Sequence, residues 1–342
     1  MPSLPTRLAD LRNLLQALEW DQLSLQVEKE AHARLAILGP VNSGKSTLFN
    51  LIKGRKVSAV TAVPGTTKGT VTEQIGPFTL VDTPGFGEVG GTDRAAIARA
   101  AAEGADVCVL VLDGSAGLHQ SDYDLYEALR GAKVPLVIAL NKIDLIRRDL
   151  DEVLDDAERK LGTHVIPISA KTGAGVADRL LPAIVDAHPF IAIALGRALP
   201  GFRRQLSQRL TRSAAVLNAL IAAQPIPGLD IPLLLAAQVR LVLRIGAVFG
   251  ESLSASHARE LLTTMAGGVA IRYLAGVLAK VIPGPGWLVS AAVNGIGTWA
   301  MGQAAIAYFA SGKQLTPKQL RERYKRLVRH PRKAARDEAS NL

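Results

Sequence analysis

Cysteine is all but missing from this chain: its 342 residues hold one, Cys108, which excludes any internal disulfide. That cysteine lies in the apolar run Val107–Leu112 and reads as a small buried hydrophobe in a reducing compartment. Acidic residues are scarce in one half only. Residues 190–342 hold 20 Lys+Arg against 6 Asp+Glu, a net of +14, whereas residues 1–189 hold 20 against 24, a net of −4. A basic half behind a mildly acidic one implies an anionic partner for the second half, either nucleic acid or an anionic membrane. Aromatics are sparse among those basic residues, Tyr324 apart, and no RNA-binding module is recognisable, so RNA is the less favoured of the two. A continuous apolar start is lacking as well: Met1–Leu14 carries Arg7, Asp10 and Arg12 and does not read as a signal peptide. Strand-like runs vanish after Pro189.

What is present is a phosphate motif. Gly39-Pro40-Val41-Asn42-Ser43-Gly44-Lys45-Ser46 fits G-x-x-x-x-G-K-[ST], and it joins the apolar strand Ala36-Ile37-Leu38 to a helix opening at Lys45. Gly39 and Gly44 permit the sharp turn that brings successive N–H groups, from Asn42 through Thr47, toward a β-phosphate at a helix N-terminus. Lys45 would set its ammonium between β- and γ-phosphates, which makes it a catalytic candidate, and the Ser46 hydroxyl would ligate Mg²⁺.

Four more segments come after it in order, the first being Thr66-Thr67. Asp82 ends the apolar strand Phe78-Thr79-Leu80-Val81, where a carboxylate can hold a Mg²⁺-bound water. Gly85 then supplies an N–H for the γ-phosphate and a pivot for the segment after it, the second catalytic candidate. Asn141-Lys142-Ile143-Asp144 ends the apolar run 134–140. The Asp144 carboxylate can accept from guanine N1–H and the N2 amine, a donor pair that adenine lacks, so it carries most of the base choice. Asn141 would tie the base loop to the phosphate loop, and the Lys142 stem would cover the base face. Ser169-Ala170-Lys171 follows the strand 165–168, with the Ala170 N–H placed to meet guanine O6. Together these segments imply GTP, where the phosphate motif alone implies only phosphate.

The motifs resemble the TrmE–Era–EngA type of translation-factor-related bacterial GTPases, over about residues 33–186. The resemblance agrees with the alternation of strands and helices: an α/β P-loop NTPase, a Ras-like G domain whose mostly parallel sheet lies between helices. It implies hydrolysis of GTP to GDP and phosphate with Mg²⁺. Pro64-Gly65-Thr66-Thr67-Lys68 resembles the family's switch I. This makes Thr67 the Mg²⁺ and γ-phosphate sensor and a third catalytic candidate, with Thr66 the alternative. Gly69 stands where the family usually has Asp. Phe86 stands where Ras-like proteins keep a water-orienting glutamine, and a phenyl ring cannot hydrogen-bond water, so slow intrinsic hydrolysis is expected. Asn42 holds the position that relatives use to coordinate K⁺ in place of an arginine finger. Stimulation by K⁺, or by homodimerisation through the switches, is therefore expected. The alternative is that Asn42 hydrogen-bonds within its own loop.

The chain divides into an N-terminal helical arm (1–32), the GTPase domain (33–188), an apolar all-α domain (189–312) and a basic tail (313–342). Helices are predicted over about 4–31, with a break at Trp20-Asp21, and over 94–103, 120–131, 150–161 and 175–187. Phe202, Leu206, Leu210, Leu217 and Ile221 predict one apolar stripe beside Arg203, Arg204, Arg209 and Arg212. Residues 261–310 read as a helical hairpin turning at Pro283-Gly284-Pro285-Gly286, with Ala291 and Gly295 allowing close helix approach. Trp287–Ala310 has no charged residue and is long enough, at roughly 36 Å, to span a bilayer. Asn294, Gln303 and Arg272 in the partner arm argue for a buried hairpin instead. Thr316-Pro317 predicts a helix start and 318–330 a basic helix suited to anionic headgroups. Residues 246–312 resemble the YcjF-type domain attached to some bacterial GTPases. The expectation is a GTP switch, cytoplasmic and at the cytoplasmic face of the membrane, moving a membrane-associated or self-associating helical domain. An RNA or ribosome assembly GTPase and a slow GTP-gated scaffold are the alternatives.

Overall fold

The computed structural model describes residues 20–53, 71–83, 96, 99–100, 102–147, 149–223, 231–251, 261 and 286–331. These fall into two compact units. One is Glu30–Phe202, and the other joins the N-terminal segment up to Lys29 with everything from Arg203 onward. The divisions fall at Lys29–Glu30 and Phe202–Arg203, where the sequence reading places 32 and 188. Helix Ile191–Ala198, buried from Ile191 to Gly196, belongs with the sheet unit.

In the sheet unit six strands run in the order β2-β3-β1-β4-β5-β6. They are β1 (Leu35–Pro40), β2 (Val71–Ile75), β3 (Phe78–Thr83), β4 (Val107–Asp113), β5 (Leu136–Asn141) and β6 (Val165–Pro167). All pairings are parallel except β2 with β3. Central β1 and β4 are buried on both faces, which is why they read as unbroken apolar runs and not as alternating ones. Helix α1 (Trp20–Glu30) opens the described chain, with Asp21 in its first turn, and as far as Lys29 it belongs to the other unit. Helix α2 (Lys45–Lys53) follows the phosphate motif, and α3 (Gln120–Gly131) and α4 (Leu150–Leu161) lie where expected. In α4 the Asp149 carboxylate accepts from the Asp151 N–H, and Gly162 ends the helix at φ 64°. The expected helix 175–187 is a π-turn (Val176–Leu180) running into α5 (Leu181–Ala187), followed by α6 (Ile191–Ala198).

The helical unit contains α7 (Arg203–Ala223), α8 (Ile231–Val248), α9 (Gly286–Ala310) and α10 (Pro317–Arg329). Helix α9 packs most extensively along α7 and also meets α8 and α10. A Cβ on Gly302 would overlap Thr211, and one on Gly295 would come within 3.1 Å of the Ala219 Cβ. Rising numbers on α7 therefore meet falling ones on α9, an antiparallel pair. Close approach at Gly295 is as expected, but its partner is α7; residues 262–285 of the expected hairpin lie outside the described ones.

One expectation fails here, and one of two open alternatives is not met. The predicted stripe of α7 does not hold together: Leu206 and Leu210 are buried, but Leu217 is 53% exposed, while Ser207, Gln208, Thr211 and Asn218 are buried. No helix among the described residues is long and apolar enough to cross a membrane. Helix α9 has the length, but Asn294, Gln303 and its glycines dilute its hydropathy. The start of α10 is as predicted. The Thr316 hydroxyl accepts from the Gln319 N–H, the Gln319 side chain accepts from the Thr316 N–H, and Pro317 takes the first helical position.

Candidate guanine-nucleotide site

The site lies at the carboxyl ends of β1, β3, β4 and β5. Parallel register sets Asp82 of β3 directly beside Gly39 of β1, and Asp113 of β4 beside Asn141 of β5. Phe49 of α2 meets Phe78 of β3 edge-on, with centroids 5.3 Å apart, which pins the phosphate helix to the strand that carries Asp82.

Both motif glycines are demanded by their neighbours. Gly39 sits at φ +152°, where a Cβ would overlap the Val111 carbonyl, and Gly44 at φ +95°, where a Cβ would overlap the Asn141 amide nitrogen. Asn42 takes the left-handed conformation at φ 64°, which Asn tolerates better than most residues. This gives it a role in loop geometry. Lys45 is buried, its Nζ donating to the Gly39 and Pro40 carbonyls at 2.9 and 2.7 Å. Ser43 is fully buried, and its Oγ has no hydrogen-bond partner. Ser46 and Thr47 are exposed in the first turn of α2, whose Leu48 N–H donates to the Gly44 carbonyl at 2.8 Å.

Asn141 joins the loops. Its Nδ2 donates to the Ser43 carbonyl at 2.8 Å, and its Oδ1 accepts from the Ala170 N–H at 2.8 Å. One buried side chain thus ties the phosphate loop, the end of β5 and the Ser169-Ala170-Lys171 turn. The expected tie to the phosphate loop is present, and the Ala170 N–H donates to the Asn141 side chain. Asp144 is exposed and accepts from the Ser169 Oγ at 2.6 Å. Ser169 also accepts from the Thr172 N–H at 3.1 Å, so it fixes both the acid and the turn, and Lys171 is exposed beside it. Thr66, Thr67, Gly85 and Phe86 lie outside the described residues, as does the side chain of Asp82.

Residues 34–142 match the family model described as a 50S ribosome-binding GTPase, and residues 194–333 match a domain of unknown function, DUF697. GTPase Der of Alkaliphilus metalliredigens is 39% identical over 163 residues, 45% of this chain and 36% of its own. The tRNA modification GTPase MnmE of Moorella thermoacetica is 32% identical over 227 residues, 63% of this chain and 47% of its own. GTPase Era of Halothermothrix orenii is 33% identical over 150 residues, 42% of this chain and 51% of its own. The chain carries a TrmE–Era–EngA-like GTPase domain followed by a DUF697 domain. It spans about half or less of the length of these curated relatives.

One residue of the GTPase domain escaped the sequence reading. Asp113 ends β4 and pairs with the Lys142 ammonium at 2.5 Å, while the Ser115 N–H and Oγ donate to its other oxygen at 3.0 and 2.6 Å. Burial pushes its carboxyl up, but the hydrogen bonds from Lys142 and Ser115 and the Lys142 charge together hold it below the ordinary carboxylate range. The pair fixes the Lys142 stem, whose residue sits at φ 66°. The available signal was an acid at the end of an apolar strand, the same signal that marked Asp82.

Proposed function

We propose that this protein binds GTP with Mg²⁺ and hydrolyses it to GDP and phosphate, as a switch that governs its helical unit at an anionic membrane surface. The observation that carries the proposal is Asn141, which holds the phosphate loop and the base loop in one frame while Ser169 orients Asp144.

The residues present fit a nucleoside triphosphate and its metal. Two glycines lack room for a Cβ, so backbone N–H groups line the turn, and a buried ammonium and an unpartnered Ser43 hydroxyl face the loop. Ser46 and Thr67 would ligate Mg²⁺ directly and Asp82 through water; when bound, the ion neutralises charge between β- and γ-phosphates. Lys45 would exchange its two loop carbonyls for phosphate oxygens and stabilise charge on the leaving β-phosphate as water attacks the γ-phosphorus. Asp144 would accept from guanine N1–H and N2. Neither hydrogen bond is available from adenine. The Ala170 N–H reaches guanine O6 only by releasing Asn141 Oδ1. Thr67 and the segment after Gly85 would order on the γ-phosphate and relax on its release.

With Phe86 after Gly85, intrinsic turnover is slow, and K⁺ at Asn42 or self-association through the switches supplies the missing charge. Phosphate release with Mg²⁺ should be far faster from GTP than from ATP, and faster in K⁺ than in Na⁺. Equal rates from GTP and ATP would sink the guanine reading. No turnover in either salt would leave a GTP-gated scaffold.

A second reading is ribosome or RNA assembly, favoured by the match to a 50S ribosome-binding GTPase and by basic α10. RNA retention that disappears on deleting 313–342, without vesicle binding, would select it.

A further inference from the structure

At one end of the helical unit several polar side chains are buried beside Leu234 and Leu235, while seven large apolar ones lie outside. Asn218 of α7 and Gln238 of α8 both donate to the Thr298 hydroxyl of α9, at 2.8 and 3.1 Å, and all three are buried. Ser290 and Asn294 are buried too, with the Asn294 amide on the Ser290 carbonyl at 2.9 Å. Outward, Val216, Leu217 and Leu220 of α7 are 53–64% exposed, Leu233 of α8 is 56%, and Trp287, Leu288 and Val289 of α9 are 48–51%. A helical unit surrounded by water puts these classes the other way round.

The shared Asn218–Thr298–Gln238 layer sets a level from which heights can be read. Phe249 stacks on Phe309, so α8 and α9 run the same way, and α7 runs against both. At about 1.5 Å per residue, Leu220 lies about 3 Å beyond the layer, Leu233 about 8 Å and Trp287–Val289 about 14–17 Å. Val216 and Leu217 lie within about 3 Å of it. Every arginine of α7 and α8 lies on the opposite side: Arg240 about 3 Å below, Arg212 and Arg244 about 9 Å, and Arg209 about 14 Å. Beyond the layer, the described parts of α7, α8 and α9 hold no charged residue.

We propose that this end of α7, α8 and α9, whose described residues carry no charge, enters one leaflet of an anionic bilayer, with the exposed Arg212 below the polar layer meeting headgroup phosphates. Its height of about 17 Å approximates half of the roughly 30 Å hydrocarbon core, so one leaflet can take it although no described helix spans two. A protein partner would meet a rim of polar groups able to hydrogen-bond. Here such groups are turned inward, and a second copy meeting end to end would bring no negative charge to the arginines. Lipid supplies both the apolar volume and the phosphates. The inference deepens the reading of the helical unit as membrane-facing and does not depend on GTP turnover.

The test uses the full chain and phosphatidylglycerol–phosphatidylcholine vesicles with brominated or plain acyl chains. Brominated vesicles should quench tryptophan emission in the unaltered protein, and Trp287→Phe should remove most of that quenching while the protein still sediments with vesicles. Leu220→Glu with Leu288→Glu, both exposed, should lower the vesicle-bound fraction at least about fivefold with circular dichroism and GTP binding unchanged. Vesicle binding without Trp287 quenching, or indifferent to the double change, overturns the inference and leaves association to basic α10. Absence of any vesicle binding overturns it together with the membrane reading. A dimer that dissociates on the double change assigns the end to a second copy instead and overturns the lipid assignment.

Discussion

In the sheet unit the buried Asn141 amide is met at both ends, by the Ser43 carbonyl and the Ala170 N–H, and buried Ser169 meets Asp144, while the Ser43 Oγ alone keeps no partner at the phosphate loop. In the helical unit the buried amides of Asn218 and Gln238 share one hydroxyl, and each keeps an oxygen with no partner. A buried polar network that is fully met rigidifies its surroundings, and one partly met costs stability and leaves alternatives open. The contrast is between the Asn141 junction, met at both ends, and the Asn218–Gln238 pair, which suits a nucleotide frame held rigid there and a helical unit that can repack. Polar side chains facing inward are also what an apolar surrounding favours, so the same contrast bears on where each unit works.

Four substitutions sharpen that contrast. Lys45→Ala removes the buried ammonium and should lower kcat/KM for GTP at least about a hundredfold, read by phosphate release, while leaving vesicle binding in GDP unchanged. Asp144→Asn should weaken GTP by about a hundredfold or more and strengthen xanthosine triphosphate, whose C2 carbonyl accepts from the new amide. Calorimetric titration of both nucleotides checks it, and equal loss for both would place Asp144 outside base recognition.

Thr298→Val leaves two buried amides without their acceptor. It should cost about 2–4 kcal/mol in the helical unit, seen as a lowered melting transition, with GTP affinity unchanged. Asn141→Ala should do the reverse, weakening GTP about tenfold or more with the helical transition unmoved. If either change moved both readouts together, the two units would not be separable.

The smallest effect concerns Cys108 of β4, whose thiol burial pushes from 9.0 to about 12. In the unfolded chain it ionises near 9, so stability is level below that pH and falls as pH rises from about 9 toward 12. At neutral pH a thiol reagent should label it only on unfolding.

Much of the sheet unit was legible because its motifs tie residue type to position. A Gly-rich turn between strand and helix, an acid at a strand end and an amide at β5 leave few arrangements, and helices 120–131 and 150–161 carry clear periodicity and caps. Asp113 was missed although it stands at a strand end like Asp82, because its partner Lys142 is 29 residues away and pairing at that range leaves no local pattern. The bond from the Ala170 N–H to Asn141 was not legible for a related reason: the Asn141 oxygen reaches it only once β5 and the loop after β6 are side by side.

The helical unit was legible in class and charge but not in packing. Length and freedom from charge suggested that α9 could span a bilayer, while Asn294 and Gln303, buried inside the unit, reduce its hydropathy below that mark. The stripe on α7 was drawn through leucines, yet Thr211 and Asn218 face α9 because Gly302 makes room for the first and Thr298 bonds the second. Periodicity of apolar residues cannot signal a buried face made of small and polar ones.

The most direct test of a guanine switch that moves its helical unit is flotation of the full chain with anionic vesicles, in a non-hydrolysable GTP analogue and in GDP. The vesicle-bound fraction should differ severalfold between the two nucleotides, and Lys45→Ala should abolish the difference. Equal and negligible binding in both states would contradict the coupling.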